Sequence, residues 1–390
     1  MTGALWLALG AMLVQQTLTT WGKTIVPVVG PAMARDLGLD PELIGVYVAI
    51  AGVASTLGAA ACGRWIQRFG AMRMSQVSLL LMASGLALGL PGWVALIGAG
   101  AFVVGLGTVI ATPASSEILA RYAPPGQAPL IFSIKQAGVP AGTMLAGLIG
   151  PLCVALSGWR LALAVTAGGG LLLAVLLQPL TRRFDADRAA GKAAGRAGML
   201  TTLRVIFHDP GLRGLAFAQG AYVGLQNTFV TFFVTFMVVE LHRDLLTAGQ
   251  VFAAAQVVAV FSRVFWGWLG GRVGGAQRLL GLLGVAMAAV AALLGFVTPS
   301  WPLAAVVAIA LALAGTAVSW QGINLSEVAR LAPPGMVGAM TGGVIAFGSA
   351  TAIVYPLVMT AILTATGSYA LCFWLAALPP LLAAIPLIRR

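Results

Sequence analysis

Three basic residues stand inside apolar segments of this sequence, and they are the residues best placed to do chemistry. Lys23, Lys135 and Arg263 each interrupt a long apolar run, whereas no Asp or Glu lies near the middle of such a run. A charge at the centre of a bilayer costs at least about 2.5 kcal/mol on insertion scales, so an ionisable residue kept there is functional by default. Cations that have no fixed counter-ion favour an anion as their partner.

Polar side chains share a helical face with two of these cations. Gln16, Thr20 and Lys23 follow an i, i+4, i+7 spacing, and Gln256 precedes Arg263 by seven residues, so each group forms one stripe on a helix. We expect these stripes to line a binding site for a small polar ligand. The further candidates for ligand contact are Tyr222, Gln226, Gln321 and Asn324.

Each of these candidates also has a purely structural interpretation. The polar stripes equally suit hydrogen bonds between helices. Lys23 lies close enough to the outer end of its segment to extend toward the interface. Arg263 stands one turn before Gly267, where it suits helix packing or a gate, and Lys135 also suits a cytoplasmic vestibule.

The elements that position these residues are membrane-spanning helices. Hydrophobic residues make up 60% of the 390 positions and charged residues 8%, whereas a soluble domain carries about 25% charged residues. A helix needs roughly 20 apolar residues to cross a bilayer. The sequence therefore predicts an all-α polytopic membrane protein with twelve spans, near 4–32, 43–63, 73–91, 93–118, 128–156, 159–180, 212–239, 247–270, 276–297, 301–329, 335–363 and 368–388.

The distribution of Lys and Arg predicts the orientation of these spans. When both termini are placed in the cytoplasm, sixteen basic residues fall in cytoplasmic loops or ends, and three (Arg35, Arg160 and Arg243) fall in outer loops. This bias follows the positive-inside rule. We therefore expect a multi-pass protein of a bacterial-type inner membrane, surrounded by lipid, with both termini cytoplasmic.

Two motifs repeat in the two halves of the chain. GRWIQRFG at 63–70 corresponds to GWLGGRVG at 267–274, and SEILARYAPPG at 116–126 corresponds to SEVARLAPPG at 326–335. Repeated motifs at nearly the same offset indicate duplicated six-helix units. The predicted organisation is an N-terminal six-helix bundle over 1–180, a cytoplasmic linker over 181–211 and a C-terminal six-helix bundle over 212–390.

The loop motifs, the number of spans and the linker together resemble the major facilitator superfamily. Its G-x-L-a-D-R-x-G signature is similar to 63–70 and 267–274, although Gln67 and Gly271 replace the signature Asp. The resemblance covers essentially the whole chain. It implies two pseudo-symmetric six-helix bundles and secondary transport by alternating access.

The same resemblance implies a network of charges at a cytoplasmic gate. Arg68 and Arg272 are expected to reach Glu117 and Glu327, which begin ExxxR and ExxR patterns at the cytoplasmic ends of spans 4 and 10. Charge-assisted hydrogen bonds of this kind hold one side of a transporter closed and break when it opens. The alternative is that the charges only anchor helix ends at the interface. The predicted gate residues are Arg68, Glu117, Arg121, Arg272, Glu327 and Arg330.

Two short segments point to different substrate classes. The lysine in TTWGKTIVPVV, taken with Arg263, is similar to the monocarboxylate-porter branch, which implies carboxylate binding and proton coupling at Lys23 and Arg263. We therefore expect a small organic anion and protons as partners, with anion exchange as the other form of coupling. GVPAGTMLAG, at 138–147, partly resembles the motif of drug–proton antiporters, so efflux of drugs or metabolites by proton antiport is the alternative.

Other functional classes find little support in the sequence. The net charge is +12, but the basic residues do not form one polar face, which argues against nucleic-acid binding. The three cysteines lack metal-ligand spacing, and the ATP-binding pattern GxxxxGK[ST] is absent. We expect a monomer that is not an enzyme and uses neither a metal nor a cofactor.

Overall fold

A computed structural model describes residues 3–122, 131, 134–185, 199–270, 275–333 and 337–389. Helices account for nearly all of this part of the chain, and it contains no β-strand. One 3-10 turn, Pro41–Leu43, precedes the second helix. The helices are α1 (Gly3–Leu37), α2 (Ile44–Phe69), α3 (Ala71–Gly89), α4 (Val94–Tyr122), α5 (Gly138–Ser157), α6 (Trp159–Leu176), α7 (Gln178–Phe184), α8 (Met199–His208), α9 (Pro210–Val239), α10 (Leu245–Gly270), α11 (Ala276–Leu294), α12 (Leu303–Ala317), α13 (Gln321–Leu331), α14 (Val337–Thr366) and α15 (Tyr369–Ile388).

Eleven segments of the described chain are long and apolar enough to cross a membrane. The remaining long helix, α1, has 35 residues but carries Gln15, Gln16 and Lys23 among its apolar residues, which lowers its mean hydropathy. Together with α1 the segments make twelve, so the predicted all-α polytopic fold is confirmed. The least apolar span is therefore the one that holds the first predicted cation.

Glycines let the helices of the first half approach each other closely. A Cβ at Gly142 of α5 would collide with the backbone of α1 at Thr17, and a Cβ at Gly105 of α4 would collide with the α2 backbone at Ala51. Packing through small residues is how membrane helices associate, because burial of apolar surface gives little gain in lipid. Close packing against α5 fixes the face of α1 that carries Gln16 and Thr20.

The tenth span is not one continuous helix. Within the span predicted near 301–329, α12 ends at Ala317 and α13 begins at Gln321, with Val318, Ser319 and Trp320 in a turn between them. Such breaks at membrane depth persist only where other groups satisfy the freed backbone. The predicted span is present, at Leu303–Leu331, but hydropathy does not register the change of backbone conformation within it.

The chain divides into two compact units. The first comprises residues 1–192 and 244–253, and the second comprises 193–243 and 254–390. The first third of α10 thus groups with the first unit, while Arg263 belongs to the second. The predicted domain limits at 180 and 212 stay a prediction.

Candidate functional site

Lys23 lies at the end of a hydrogen-bonded polar stripe on α1. Gln16 Nε2 donates to Thr20 Oγ1 at 3.4 Å, and Thr112 of α4 donates through Oγ1 to Gln16 Oε1 at 3.2 Å. Lys23 is exposed, whereas its neighbours from 24 to 31 are all buried. Within the described chain its ammonium has neither an ion pair nor a hydrogen bond. The stripe fixes the helix face and leaves Lys23 free to bind a ligand.

A buried amide next to this stripe was not among the predicted residues. Gln15 is completely buried, and neither its Oε1 nor its Nε2 has a partner among the described atoms. Buried side-chain amides are nearly always hydrogen-bonded, so an unpaired one needs an explanation. The pair of glutamines in the QQTLTT sequence was the available signal, but only Gln16 falls on the stripe with Lys23.

Lys135 is buried with a neutral partner. Its side chain is 0% exposed, and Nζ donates to Gln136 Oε1 at 3.2 Å. It forms no ion pair within the described residues. It lies in a short helical segment, 134–136, which a turn at Ala137 separates from α5. Gly138 of α5 packs against Gln16 on α1. The first unit therefore holds two of the three in-span cations, Lys23 exposed and Lys135 buried, and neither forms an ion pair with a carboxylate of the described chain.

Arg263 is held by a backbone carbonyl. The side chain is half-buried, and Nε donates to the Val318 carbonyl oxygen at 3.0 Å in the turn between α12 and α13. Large apolar side chains, such as Phe261, Val264 and Trp268, are exposed on a different face of α10, as expected of a surface that faces lipid. Arg263 consequently points away from the lipid-facing side of its helix.

Gln256 shares the face of Arg263 and keeps an unused donor. It is 1% exposed, and its Nε2 has no partner among the described atoms. Two turns separate it from Arg263 on α10, as the sequence predicts. An unpaired N–H donor and a guanidinium on one helix face form a suitable environment for an anion.

The other predicted polar residues of the second unit are more strongly engaged in packing. Asn324 Nδ2 donates to Gln219 Oε1 at 2.7 Å, which links α13 to α9, while Asn324 Oδ1 is buried and unpaired among the described atoms. Tyr222 is fully buried, and its hydroxyl donates to the Leu280 carbonyl oxygen at 3.0 Å. Gln226 and Gln321 are half-buried. These geometries favour the interhelical role for Tyr222 and Asn324, and their ligand contact stays a prediction.

The two halves of the proposed site lie in different units. Lys23, Lys135, Gln16 and Thr20 belong to the first unit, and Arg263 with Gln256 belongs to the second. Each unit brings its own polar residues together. The convergence of Lys23 with Arg263 on one ligand stays a prediction.

The glutamate of the predicted gate in the first unit pairs with a different arginine from the one expected. Glu117 pairs with Arg121 of its own helix at 2.8 Å, whereas Arg68 lies over the Phe69 ring at 5.3 Å from the centroid. The expected pairing of Arg68 with Glu117 is thus not formed. The i, i+4 spacing on α4 offers a nearer partner than one on another helix.

The second unit has a more buried version of this arrangement. Arg330 Nε donates to Glu327 Oε2 at 2.9 Å, and Gln277 Nε2 of α11 donates to Glu327 Oε1 at 3.2 Å. Arg272 lies outside the described residues. The gate function of Arg121, Glu327 and Arg330 stays a prediction.

An acidic residue in the predicted linker was missed. Asp185 is 6% exposed, and its two carboxylate oxygens accept hydrogen bonds from the backbone N–H groups of Met72 and Arg73, each at 2.9 Å. These N–H groups belong to the first turn of α3, where a carboxylate is stabilised by the helix dipole. Asp185 therefore fastens the end of the first six spans to the N-terminal end of α3.

A groove elsewhere in the second unit does not suit a polar substrate. A cavity of about 430 Å³ lies between α11 and α15, lined by residues such as Val285, Phe296, Trp374 and Leu381. Its lining offers almost no hydrogen-bonding group. An anion would lose its hydration there without replacement, so this cavity does not suit an anionic ligand.

Twelve apolar spans, the tenth of them broken, and three in-span basic residues without an ion pair in the described part of the chain are features of a polytopic membrane protein. Residues 12–342 match the Major Facilitator Superfamily, and the chain belongs to this superfamily. It is therefore a transporter and not an enzyme.

Its relatives include two bacterial transporters. The probable nitrate/nitrite transporter NarK2 of Mycobacterium tuberculosis is 26% identical over 355 residues, covering 87% of this chain and 85% of the relative. The probable galactarate/D-glucarate transporter GudP of Escherichia coli (strain K12) is 25% identical over 389 residues, covering 89% of this chain and 84% of the relative.

Solved structures of low sequence identity share the fold. A bacterial homolog of the human lysosomal transporter Spinster, in an inward-facing and occupied conformation, has a TM-score of 0.76 at 16% identity and covers 100% of this chain and 96% of its own. A point mutant of the nucleoside transporter NupG has a TM-score of 0.77 at 14% identity and covers 99% of both chains.

Proposed function

We propose that this protein is a secondary transporter that moves a small anion across a bacterial-type inner membrane by alternating access. The observation that carries the proposal is the state of the three in-span cations. Within the described chain, Lys23 has no partner, Lys135 has an amide and Arg263 has a carbonyl oxygen, while the carboxylates that form ion pairs do so with other residues. An anionic substrate supplies the charge that is missing.

The named substrates of two relatives support the anionic class. Nitrate and nitrite, in the name of NarK2, and galactarate and D-glucarate, in the name of GudP, are all anions with two or more oxygens in one plane. Nitrate is a small inorganic ion, and glucarate is a dicarboxylate. A small organic anion, with a carboxylate as the recognised group, remains the preferred substrate class because a guanidinium binds a carboxylate through two N–H groups.

The proposed cycle follows from the charges. The anion binds between Lys23 of the first unit and Arg263 of the second, and Lys135 raises the positive potential on the cytoplasmic side of Lys23. Binding neutralises the site, so closing it over the ligand costs less. Coupling then uses a proton that enters with the anion, or exchange for a second anion. Both termini lie in the cytoplasm in this scheme.

Uptake into proteoliposomes tests the substrate class. Purified protein is assayed with labelled nitrate, lactate and glucarate, and with a labelled lipophilic cation as the probe for drug–proton antiport. We expect saturable uptake of at least one anion and none of the cation. Saturable, proton-driven movement of the cation, with no anion transported, would establish the antiporter alternative.

Charge-removing variants test the site. Lys23→Gln and Arg263→Gln should each lower anion uptake by about 100-fold or more, because each leaves a bound anion without one of its charged partners. Arg35→Gln is the matched control, since Arg35 is an exposed basic residue near the outer end of α1. Wild-type rates in both in-span variants would exclude the proposed anion site.

A further inference from the structure

The break in the tenth span leaves backbone acceptors that need partners. A helix cannot satisfy its own last four carbonyl groups, and α12 ends at Ala317 inside the membrane-spanning segment. One acceptor is used locally, since Trp320 Nε1 donates to the Ala317 carbonyl oxygen at 2.9 Å. The carbonyl groups of Gly315 and Val318 remain for other helices.

Side chains of α10 bind these remaining carbonyl groups. Trp266 Nε1 donates to the Gly315 carbonyl oxygen at 2.7 Å, and Arg263 Nε donates to the Val318 carbonyl oxygen at 3.0 Å. A cation at the C-terminal end of a helix is also favoured by the helix dipole. The guanidinium therefore lies where both charge and hydrogen bonding hold it.

A third contact runs in the opposite direction. Ser319, in the turn after Val318, donates through Oγ to the Ala259 carbonyl oxygen of α10 at 3.2 Å and to the Ala314 carbonyl oxygen at 3.3 Å. Ala259 lies one turn before Arg263, and Trp266 lies one turn after it. The three hydrogen bonds thus join α10 to the break on both sides of Arg263.

The hydrogen bond to Val318 determines which N–H groups of the Arg263 guanidinium can bind a ligand. The Nε–H group is used by Val318, while the side chain stays half-buried and neither Nη nitrogen makes a hydrogen bond within the described chain. A guanidinium has five N–H groups in a fixed planar fork. With Nε occupied, the edge formed by Nη1 and Nη2 is the one left to receive a ligand.

We propose that Ser319 and Trp266 are positioning residues that hold the Arg263 guanidinium against the break in span 10, so that Nη1 and Nη2 select anions with two coplanar oxygens. This inference rests on the proposed function, in which Arg263 binds the substrate. A carboxylate, nitrate or nitrite matches two parallel N–H groups, whereas a spherical halide does not. Prior fixation of the side chain also removes an ordering cost that binding would otherwise incur.

Binding measurements on detergent-purified full-length protein test the proposal, with nitrate and glucarate as the planar-oxygen probes and chloride as the spherical probe. Ser319→Ala should raise the Kd of the planar-oxygen probe that the wild type binds by about tenfold, and Trp266→Phe by a similar factor, while chloride affinity changes less than about twofold. Ser319→Thr keeps the hydroxyl and should restore binding.

Matched controls separate positioning from general loss of packing. Ser349→Ala removes an exposed hydroxyl whose bond stays within α14, and Trp268→Phe alters an exposed indole on the lipid-facing side of α10. Both should keep wild-type binding and wild-type selectivity. Equal losses for nitrate and chloride in Ser319→Ala, or no rescue by Ser319→Thr, would overturn the positioning role.

A double-mutant cycle supplies a second and independent criterion. Arg263→Lys cannot donate from Nε or present two Nη groups, so adding Ser319→Ala to it should cause no further loss of affinity. Losses that multiply instead would show that Ser319 acts independently of Arg263.

If the wild type binds neither planar-oxygen probe, the proposed function fails and this inference fails with it. If Arg263→Gln abolishes binding but Ser319→Ala does not weaken it, only this inference fails.

Discussion

Lys23 and Arg263 are the two cations assigned to the ligand, and the protein holds them in opposite ways. Lys23 is exposed and unpaired within the described chain, at the end of a stripe whose amide and hydroxyl groups bond to one another. Arg263 is anchored through Nε to a backbone carbonyl, with Trp266 and Ser319 bonding on either side of it. The first group has no hydrogen-bond partner within the described chain, and the second is anchored by one.

This difference suggests a division of labour between the units. A flexible ammonium is a point charge that follows a ligand, whereas a fixed guanidinium imposes a geometry on it. Charge attraction at Lys23 then tolerates substitution by another cation. Recognition at Arg263 does not, because it depends on the number and direction of the N–H groups.

Exchanging the two kinds of cation should give the largest contrast. We expect Arg263→Lys to lower kcat/KM for anion uptake by at least about 30-fold, equivalent to about 2 kcal/mol, because lysine loses both the Val318 bond and the two-pronged contact. Lys23→Arg should stay within about threefold of the wild type, because it keeps the charge. The measurement is initial uptake in proteoliposomes at matched protein density.

The contrast between Lys23 and Arg263 would be wrong if Arg263→Lys and Lys23→Arg had the same effect on uptake. Equal and large losses would mean that Lys23 is as geometrically constrained as Arg263. Equal and small losses would mean that charge alone recognises the substrate, and the role assigned to the break in span 10 would then lose its basis.

Variants of Lys135 test whether this buried cation is needed for anion transport or for folding. It is fully buried with Gln136 as its hydrogen-bond partner. Lys135→Met removes the cost of desolvating a charge, so thermal stability in detergent should not fall, whereas anion uptake should fall by about tenfold.

Gln136→Ala is the matched variant for Lys135. It leaves the ammonium buried without its acceptor and should lower stability by about 1–3 kcal/mol. If Lys135→Met lowers the melting temperature as much as Gln136→Ala does, the lysine is required for packing and its assignment to the ligand is wrong.

Much of the architecture follows from sequence periodicity and composition. Long apolar runs predict the spans, and the repeated loop motifs predict the duplication. The cations stand out because a charge within such a run is costly. The stripe of Gln16, Thr20 and Lys23 was also predictable, since side chains four and three residues apart share a face of α1.

The groups that orient Arg263 were not predictable in the same way. The acceptor at Val318 is a backbone carbonyl, which any residue carries, and it becomes available only because α12 ends there. The run from 301 to 329 is apolar through Val318, so its hydropathy predicts a span and does not reveal the break. The AGTAVSWQG segment contains a glycine, a serine and a Gln-Gly pair, but these also occur in unbroken membrane helices.

Glu117 and Glu327, the glutamates of the predicted gate, give the smallest expected difference between the two units. The Glu117 side chain is 50% exposed and pairs with Arg121, whereas the Glu327 side chain is 7% exposed and bonds to both Arg330 and Gln277. Removing a buried charged acceptor leaves its donors unsatisfied, and an exposed pair contributes little. The second unit again holds its charged group more firmly than the first.

Neutralising each glutamate measures that difference. Glu327→Gln should lower the free energy of unfolding by about 1–2 kcal/mol, and Glu117→Gln by less than about 0.5 kcal/mol, in thermal unfolding of the detergent-purified protein. Each variant keeps the side-chain volume and therefore controls for packing. Because Gln277 ties Glu327 to α11, Gln277→Ala should reproduce part of the Glu327→Gln loss, and the double variant should lose no more stability than the sum of the single losses. Equal destabilisation at Glu117 and Glu327 would show that burial does not distinguish these two glutamates. The contrast between a weakly held and a firmly held charged group would then apply to Lys23 and Arg263 alone.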